Sequence, residues 1–308
     1  MNGDPQASDA VLLVRPASFG FHADAARSNA FANASSHDGT AERAAAEFDG
    51  LARRLEDAGV EAIILEDRPD TAKPDAVFPN NWVTFHSDGT IVLYPMATEA
   101  RRLERNADGL RVLLESAGFE VRQLVDLSFH ERHGHFLEGT GSLILDRPRH
   151  RAYANLSPRT DAAVVADFDE RLDYSTFVFD ARDRSDKPIY HTNVLMSLGT
   201  SFAVLCTDTV APEYREVLLG EIGRTDRTLI EVDYGQMRQF ACNILELKGR
   251  NGSPVIALSS TALRSFRPDQ LRQLESFAEL LDADIPTIES VGGGSVRCMI
   301  ADIHLPRL

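Results

Sequence analysis

Helical and β-strand patterns of apolar residues alternate along the chain. Apolar residues recur every three or four positions in five segments, and each segment leads into a short β-rich stretch. The predicted helices begin near residues 41, 99, 159, 211 and 267, and the predicted strands after them span 60–67, 119–127, 175–181, 228–233 and 284–290. Successive helix starts lie 52 to 60 residues apart, which indicates five repeats of one structural unit.

Two further strands joined by a turn follow in each unit. The turns include Asp88-Gly89 and Asn251-Gly252, pairs that are typical of hairpins between apolar runs. The fifth unit offers only one such strand, RCMIADIHL, and the apolar run VLLVRP at 11–16 supplies its partner. A strand contributed from the far end of the repeat array closes a ring of sheets. We therefore predict a five-bladed, pseudo-symmetric α/β propeller forming a single domain over residues 1–308.

Composition and charge narrow the class of protein. Of the 308 residues, 43% are hydrophobic and 26% charged, as in soluble globular proteins. A net charge of −15 disfavours nucleic acid and anionic membranes as partners, and no apolar run reaches the roughly 18 residues of a membrane span. The acidic start MNGDPQASDA lacks the basic region of a secretory signal. Three widely spaced cysteines, without a CxxC pair, predict reduced thiols in a cytoplasmic protein.

One polar residue opens the hairpin of each unit. These residues are 52 to 57 positions apart, the same period as the helices, and comprise Asn81, Glu138, His191, Asn243 and Cys298. Equivalent positions in a closed ring lie at one depth around its axis. The repeat therefore predicts that five polar side chains meet in one central cavity.

The chemistry of this set suits nucleophilic catalysis. Cys298 can attack as a thiolate, and a neighbouring His191 can activate it and act as general acid and base. Glu138 can orient the imidazole or hold a nitrogen-bearing group of the substrate. Gly292–Gly294, just before the cysteine, allow close approach of backbone and substrate.

Each of these residues, taken singly, has a more ordinary explanation. Isolated cysteines are usually buried structural thiols, and isolated histidines are usually hydrogen-bonded core or surface residues. Glutamate and asparagine beside glycine most often serve turns. The shared period favours the catalytic interpretation for Cys298 and His191, whereas Cys206 and Cys242 lack it and are predicted to be structural.

Metal and cofactor sites are not predicted. The segment HERHGHFLEG offers His130, His133, His135 and Glu138 as candidate ligands, but it lacks the HExxH spacing, and its glycines are typical of a loop. The glycines at 292–294 precede a strand rather than the helix that a phosphate-cradling loop requires. The sequence thus predicts an enzyme without cofactor or metal.

Several motifs resemble those of a known superfamily. The segments PNNW, FLEGTGSLILD, ANLSPRT, HTNVLMSLG and GGGSVRCM are similar to those of the amidinotransferase-like superfamily, the pentein or guanidine-modifying enzymes. Arginine deiminase and dimethylarginine dimethylaminohydrolase belong to it. Through DAVFPNNW, DGTIVLYPM and RPASFGF the chain most resembles the citrulline-utilisation hydrolase (citrulline ureidase) branch.

The resemblance implies roles for particular residues. It makes Cys298 the nucleophile, His191 the general acid and base, and Glu138 the acidic partner of His191 or of the substrate. Arg159 matches the position that holds the α-carboxylate of the substrate, and Asn29 contributes from the first unit. Relatives that bind a guanidinium usually carry an acid in the first motif, where this chain has Asn80 and Asn81.

The amides indicate a neutral substrate group. An amide both donates and accepts hydrogen bonds, whereas a buried guanidinium without carboxylate partners would be costly. We therefore predict hydrolysis of citrulline or a related ureido amino acid to ornithine, ammonia and carbon dioxide. Alternatives are a guanidino hydrolase or deiminase, an amidinotransferase, and a non-catalytic propeller that binds a partner. The sequence leaves the oligomeric state open, a homodimer included.

Overall fold

Five three-stranded sheets form the protein. The computed structural model describes residues 4–34 and 38–308. The strands are β1 (Ala10–Arg15), β2 (Glu61–Glu66), β3 (Val83–Phe85), β4 (Thr90–Leu93), β5 (Gln123–Asp126), β6 (Leu143–Asp146), β7 (Arg151–Asn155), β8 (Ser175–Phe179), β9 (Met196–Leu198), β10 (Phe202–Leu205), β11 (Thr228–Glu231), β12 (Leu245–Lys248), β13 (Pro254–Ser259), β14 (Glu279–Ala283) and β15 (Ala301–Ile303). Most of their side chains are buried, which explains their high content of valine, isoleucine and leucine.

All five sheets share one connectivity. An antiparallel hairpin is followed by a third strand that runs parallel to the second, giving the orders β3-β4-β5, β6-β7-β8, β9-β10-β11 and β12-β13-β14. The fifth sheet, β15-β1-β2, pairs Leu12 of β1 antiparallel with Ala301 of β15 and parallel with Ile63 of β2. These pairings confirm the predicted five-bladed α/β propeller and its closure by strands distant in sequence.

Helices cross between the second and third strand of each sheet, and short helices also lie in the connections from one sheet to the next. The helices are α1 (Ala23–Ala26), α2 (Thr40–Asp57), α3 (Glu99–Arg102), α4 (Ala107–Ser116), α5 (Gly139–Ser142), α6 (Ala162–Leu172), α7 (Pro212–Gly223), α8 (Tyr234–Arg238), α9 (Ser260–Ser265), α10 (Pro268–Phe277) and α11 (Val296–Met299). The connecting helices are α5, α8 and α11. The crossover helices bury one apolar stripe, as Phe48 and Leu51 of α2 illustrate. Within the described ranges, no helix is both long and apolar enough to cross a membrane.

Three predicted boundaries differ from the structure. The helix expected near 159 begins at Ala162, because the Asp161 side chain caps it by accepting from the Ala163 amide. The helix expected from 99 is broken into α3 and α4, and Asn106 caps the second piece. The last crossover strand occupies 279–283 rather than 284–290, since its backbone pairs there with β13.

The first hairpin strand of each sheet lies nearest the propeller axis. Inner strands of neighbouring sheets contact one another, as β15 does β3, β6 does β9, and β9 does β12. Short helical turns precede four of them, at 79–81, 139–142, 192–194 and 296–299, and several of these turns are also in contact. The starts of the inner strands are thereby gathered around the axis, where the polar set was predicted to meet.

Candidate active site

A pocket of about 280 Å3 opens at this end of the axis. We call it the front pocket, and its walls are Ala25, Asn29, Asp75, Phe78, Asn81, Arg101, Arg159, Tyr190, His191, Gly292, Gly293, Gly294 and Cys298. Five of the eight predicted site residues line it: Asn29, Asn81, Arg159, His191 and Cys298. Glu138 and Asn243 lie directly behind the wall, each hydrogen-bonded to a wall residue.

Two amide side chains surround the Cys298 thiol. Cys298 sits in the turn α11 and is only 4% exposed. The Nδ2 groups of Asn243 and Asn193 lie 3.3 and 3.5 Å from Sγ, within donating distance of sulfur. Both amides can therefore fix the position of the sulfur through hydrogen bonds. Asn193 was not predicted as a site residue, although it lies two positions after His191.

His191 is held by a buried carboxylate. Its Nε2 lies 2.8 Å from Oε2 of Glu138, a side chain with no exposed surface. Burial lowers the pKa of His191 to about 4, despite the opposing effect of Glu138. The neutral ring therefore donates through Nε2–H to Glu138, which leaves Nδ1 as a proton acceptor. A Cβ on Gly141 would lie 2.8 Å from the ring, so only glycine leaves room for the imidazole there.

Glu138 is fully engaged by cationic and backbone groups. Arg159 Nη1 donates to Oε2 at 3.2 Å, and the Ala97 amide donates to Oε1 at 3.1 Å. Burial alone would raise the pKa of Glu138, but Arg159, His191 and Arg101 outweigh it and lower the pKa well below its ordinary value. The carboxylate therefore remains ionised and bound to residues of the protein itself.

Arg101 is a wall residue that the sequence analysis missed. It donates to Asn81 Oδ1 at 2.7 Å and to both carboxylate oxygens of Glu104 at 3.0 Å, and lies 3.7 Å from Glu138. Burial lowers its pKa, but Glu104, Asp75 and Glu138 reverse this and raise it. The run EARRLER is typical of a solvated helix face, yet Arg101 is buried within the four-residue helix α3.

Arg159 contacts residues 25–32, which lie over the pocket and which we call the covering segment. Its Nε and Nη2 groups donate to Ser28 Oγ at 2.9 Å and to the Ala25 carbonyl at 2.7 Å. The guanidinium also lies over the ring of Tyr190, 5.0 Å from its centroid. The guanidinium predicted to hold a substrate carboxylate thus lies in the wall, with its nitrogens bound to the covering segment and Glu138.

Asn29 fixes the covering segment to the glycine run. Its Nδ2 donates to the carbonyls of Gly292 and Gly293, each at 3.2 Å. Gly293 has a φ of +68°, and a Cβ there would lie 2.5 Å from the Ala32 amide. These glycines thus admit the covering segment beside the cysteine.

Asn80 is placed differently from Asn81. It is fully buried, outside the pocket wall, and its Oδ1 accepts from Asn81 Nδ2 at 2.9 Å. Asp75, which no prediction singled out, does line the pocket and lies 2.7 Å from His22 Nδ1. DAVFPNNW therefore contributes an acid and one amide to the wall.

Two histidines of the histidine-rich loop each contact an aspartate. His130 Nε2 lies 2.8 Å from Asp167 Oδ2, and His135 Nδ1 lies 3.1 Å from Asp161 Oδ2. In the part of the chain that the structure describes, no group of three or more histidine, cysteine or acidic side chains could hold a metal ion.

Comparison with known proteins places the chain in a family. Residues 15–305 match the family model described as N,N dimethylarginine dimethylhydrolase, eukaryotic. The chain belongs to this family. This membership confirms the predicted relation to the guanidine-modifying superfamily and makes the protein a hydrolase of non-peptide C–N bonds. No curated protein sequence matches the chain.

Solved structures of low sequence identity share the fold. The substrate-bound N-terminal domain of ArgZ, an arginine dihydrolase from the ornithine-ammonia cycle in cyanobacteria, superposes with a TM-score of 0.75 at 16% identity, covering 97% of this chain and 99% of that one. The whole ArgZ chain gives a TM-score of 0.74 at 16% identity, and the match covers 97% of this chain but 41% of ArgZ. A dimethylarginine dimethylaminohydrolase adduct with S-methyl-L-thiocitrulline gives 0.65 at 15% identity, with 96% and 99% covered.

Proposed function

We propose that the protein hydrolyses the terminal C–N bonds of an arginine-type amino acid, and that its substrate is the ureido amino acid citrulline or a close relative. One observation carries the proposal: a thiol, a neutral imidazole and a pair of arginine guanidinium groups surround one pocket whose acids are already paired. The family match supports the reaction class. The choice of a ureido group rests on the charges of the site.

The acids next to the reacting groups are occupied. Both oxygens of Glu138 hold protein donors, and Asp75 pairs with His22. A guanidinium substrate would have to displace these partners, at the cost of separating buried charges. A neutral ureido group needs only hydrogen bonds, which the Asn81 amide on the pocket wall can provide.

The proposed reaction begins with attack of Cys298 Sγ on the ureido carbon. His191 accepts the thiol proton at Nδ1 and returns it to the departing nitrogen, so that the C–N bond breaks as the amine leaves. His191 then takes a proton from water, whose oxygen displaces Sγ and regenerates the thiol. The carbamate formed decomposes, and one citrulline and one water yield ornithine, ammonia and carbon dioxide.

Arg159 is proposed to bind the α-carboxylate of the substrate. It is the wall guanidinium that also contacts the covering segment, through Ala25 and Ser28. A bidentate carboxylate suits a guanidinium better than a lone carbonyl or hydroxyl does. The substrate carboxylate would therefore replace the contacts of Arg159 with Ser28 and Ala25.

Arginine or a methylated arginine is the second candidate. The family model is described as an N,N dimethylarginine dimethylhydrolase, and ArgZ as an arginine dihydrolase. Attack at the guanidino carbon by the same thiol would release an amine and leave a ureido amino acid after hydrolysis. An amidino transfer would require a second amine in place of water.

An assay of ammonia and ornithine release tests the proposal. Citrulline, arginine, dimethylarginine and N-acylated arginine are supplied in turn to the unaltered protein, to Cys298→Ala and to the matched control Cys206→Ala. We expect ornithine and ammonia from citrulline, no turnover by Cys298→Ala, and activity in Cys206→Ala. Turnover of a guanidino compound alone would contradict the ureido assignment, and no turnover of any compound would contradict the reaction class.

A further inference from the structure

A second polar cavity lies on the propeller axis behind the active site. The space there measures about 400 Å3, part of it open to solvent, and we call it the rear cavity. Its wall residues come from the inner strands β6, β9, β12 and β15 and their approaches: Gln6, Thr140, Ile144, Leu145, Arg147, Asn193, Met196, Ser197, Leu198, Ile244, Leu245, Arg297 and Asp302. The proposed reaction uses none of its charged groups.

Two buried guanidinium groups share one carboxylate in this wall. Arg147 Nη2 donates to Asp302 Oδ2 at 2.9 Å, and Arg297 Nη2 donates to Oδ1 at 3.3 Å. All three side chains are more than nine-tenths buried. The cluster therefore holds one more positive charge than negative.

Neighbouring titratable groups do not cancel this excess. His304 lies 2.8 Å from Asp302, and burial together with Arg147 lowers its pKa to about 4. Burial and Arg147 likewise lower the pKa of His86. Both rings are thus neutral at pH 7, while Asp4 contacts Ser87 and His150 instead of the arginines.

Residues of the same wall carry hydrogen-bonding groups that the protein leaves unused. Among the described residues, the Nε group of neither Arg147 nor Arg297 has an acceptor, since their bonds are made through Nη groups. The Ser197 hydroxyl and Asn193 Oδ1 are buried without a partner in the described chain. Buried polar groups are rarely left unpaired without a bound molecule. Asn193 Oδ1 can only accept, so it marks a place for water rather than for an anion.

We infer that the rear cavity binds one small, planar, singly charged oxyanion of the carboxylate or nitrate class. Such an anion neutralises the surplus guanidinium charge, and its oxygens accept from the free Nε groups and from the Ser197 hydroxyl. Planar oxyanions match the fork of donors on a guanidinium, whereas chloride offers no such directional match. This site is separate from the front pocket, whose guanidinium groups have their own carboxylates.

Thermal stabilisation by sodium formate and sodium nitrate tests the inference, with sodium chloride holding ionic strength constant. We expect the unaltered protein to show a saturable rise in Tm, because a ligand bound only by the folded state stabilises it. In Arg147→Gln, which leaves Arg297 and Asp302 balanced, the apparent affinity should fall at least tenfold. Ser197→Ala should also weaken binding, while the exposed Ser253→Ala should leave it unchanged.

Arg159→Gln is the matched control for the front pocket, since it removes a buried guanidinium there. Formate affinity should survive in Arg159→Gln. Loss of binding in Arg159→Gln with retention in Arg147→Gln would overturn the inference by placing the anion in the front pocket. An unsaturable response in the unaltered protein would also overturn it. If Arg147→Gln does not fold, Ser197→Ala replaces it, and unchanged formate affinity in that variant would overturn the inference.

Discussion

The two ends of the propeller axis use arginine in opposite ways. In the front pocket each wall guanidinium has its own acid, Arg101 with Glu104 and Arg159 with Glu138. In the rear cavity Arg147 and Arg297 share Asp302 alone. Pairing at the front keeps charges fixed around the Cys298 thiol. The balance of charge in each cavity, more than the number of charges, therefore decides which ligands it can bind.

Removing the front carboxylate should have the largest effect. In Glu138→Gln the imidazole loses the anion that orients its Nε2–H, and Arg159 loses its partner. We expect kcat to fall on the order of 10³–10⁴-fold, the loss typical of a mis-set catalytic histidine. Steady-state kinetics would measure it. Glu131→Gln is the control, because Glu131 also pairs with arginines but lies outside the pocket; an equal loss in both variants would contradict a specific role for Glu138.

Removing one amide at the thiol should have an intermediate effect. Asn193→Ala and Asn243→Ala each delete one donor to Cys298 Sγ. A single hydrogen bond is worth about 1 kcal/mol, so the rate of Cys298 alkylation by iodoacetamide at pH 7 should fall on the order of fivefold to tenfold. Mass spectrometry of the labelled peptide would measure it, with Asn33→Ala as control. Unchanged rates would show that the two amides do not affect the reactivity of the Cys298 sulfur.

The smallest expected effect is the pH dependence of kcat/KM and of the free energy of unfolding. The pKa of His191 is lowered to about 4, so the base remains neutral, and we expect kcat/KM to decline only as the pH approaches 4 rather than near 6.5. The unfolded chain protonates this histidine below about pH 6.5, so the contribution of His191 to the free energy of unfolding should be complete above pH 6.5 and be lost as the pH falls to about 4. A pH–rate profile and urea unfolding would test both. A kinetic pKa near 6.5 would indicate an exposed imidazole.

The periodicity of the sequence predicts only those features that repeat from one unit to the next. Cys298, His191 and Glu138 could be found because they open equivalent hairpins, although their roles remain proposals. Arg101 has no counterpart at that position, and it lies in the pocket wall from a short helix that the periodicity does not predict. Asn80 and Asn81 are identical in type, and only the turn at 79–81 decides which one faces the pocket.

Strand β14 shows a second limit of such prediction. Its residues Glu279–Ala283 continue the helical spacing of apolar residues in α10. The backbone nevertheless becomes extended at Ala278, because the edge of β13 offers hydrogen-bond partners to the residues that follow. Pairing with a strand 24 residues earlier outweighs local pattern there.

The pairing of β1 with β15 makes the position of Cys298 depend on a contact between strands far apart in the sequence. Cys298 lies three positions before β15, whose partner strand was synthesised almost 290 residues earlier. Until that long-range contact forms, an emerging chain can hold His191 and Glu138 in place while lacking its nucleophile. Alkylation specific to Cys298 during refolding would therefore serve as a clock for ring closure.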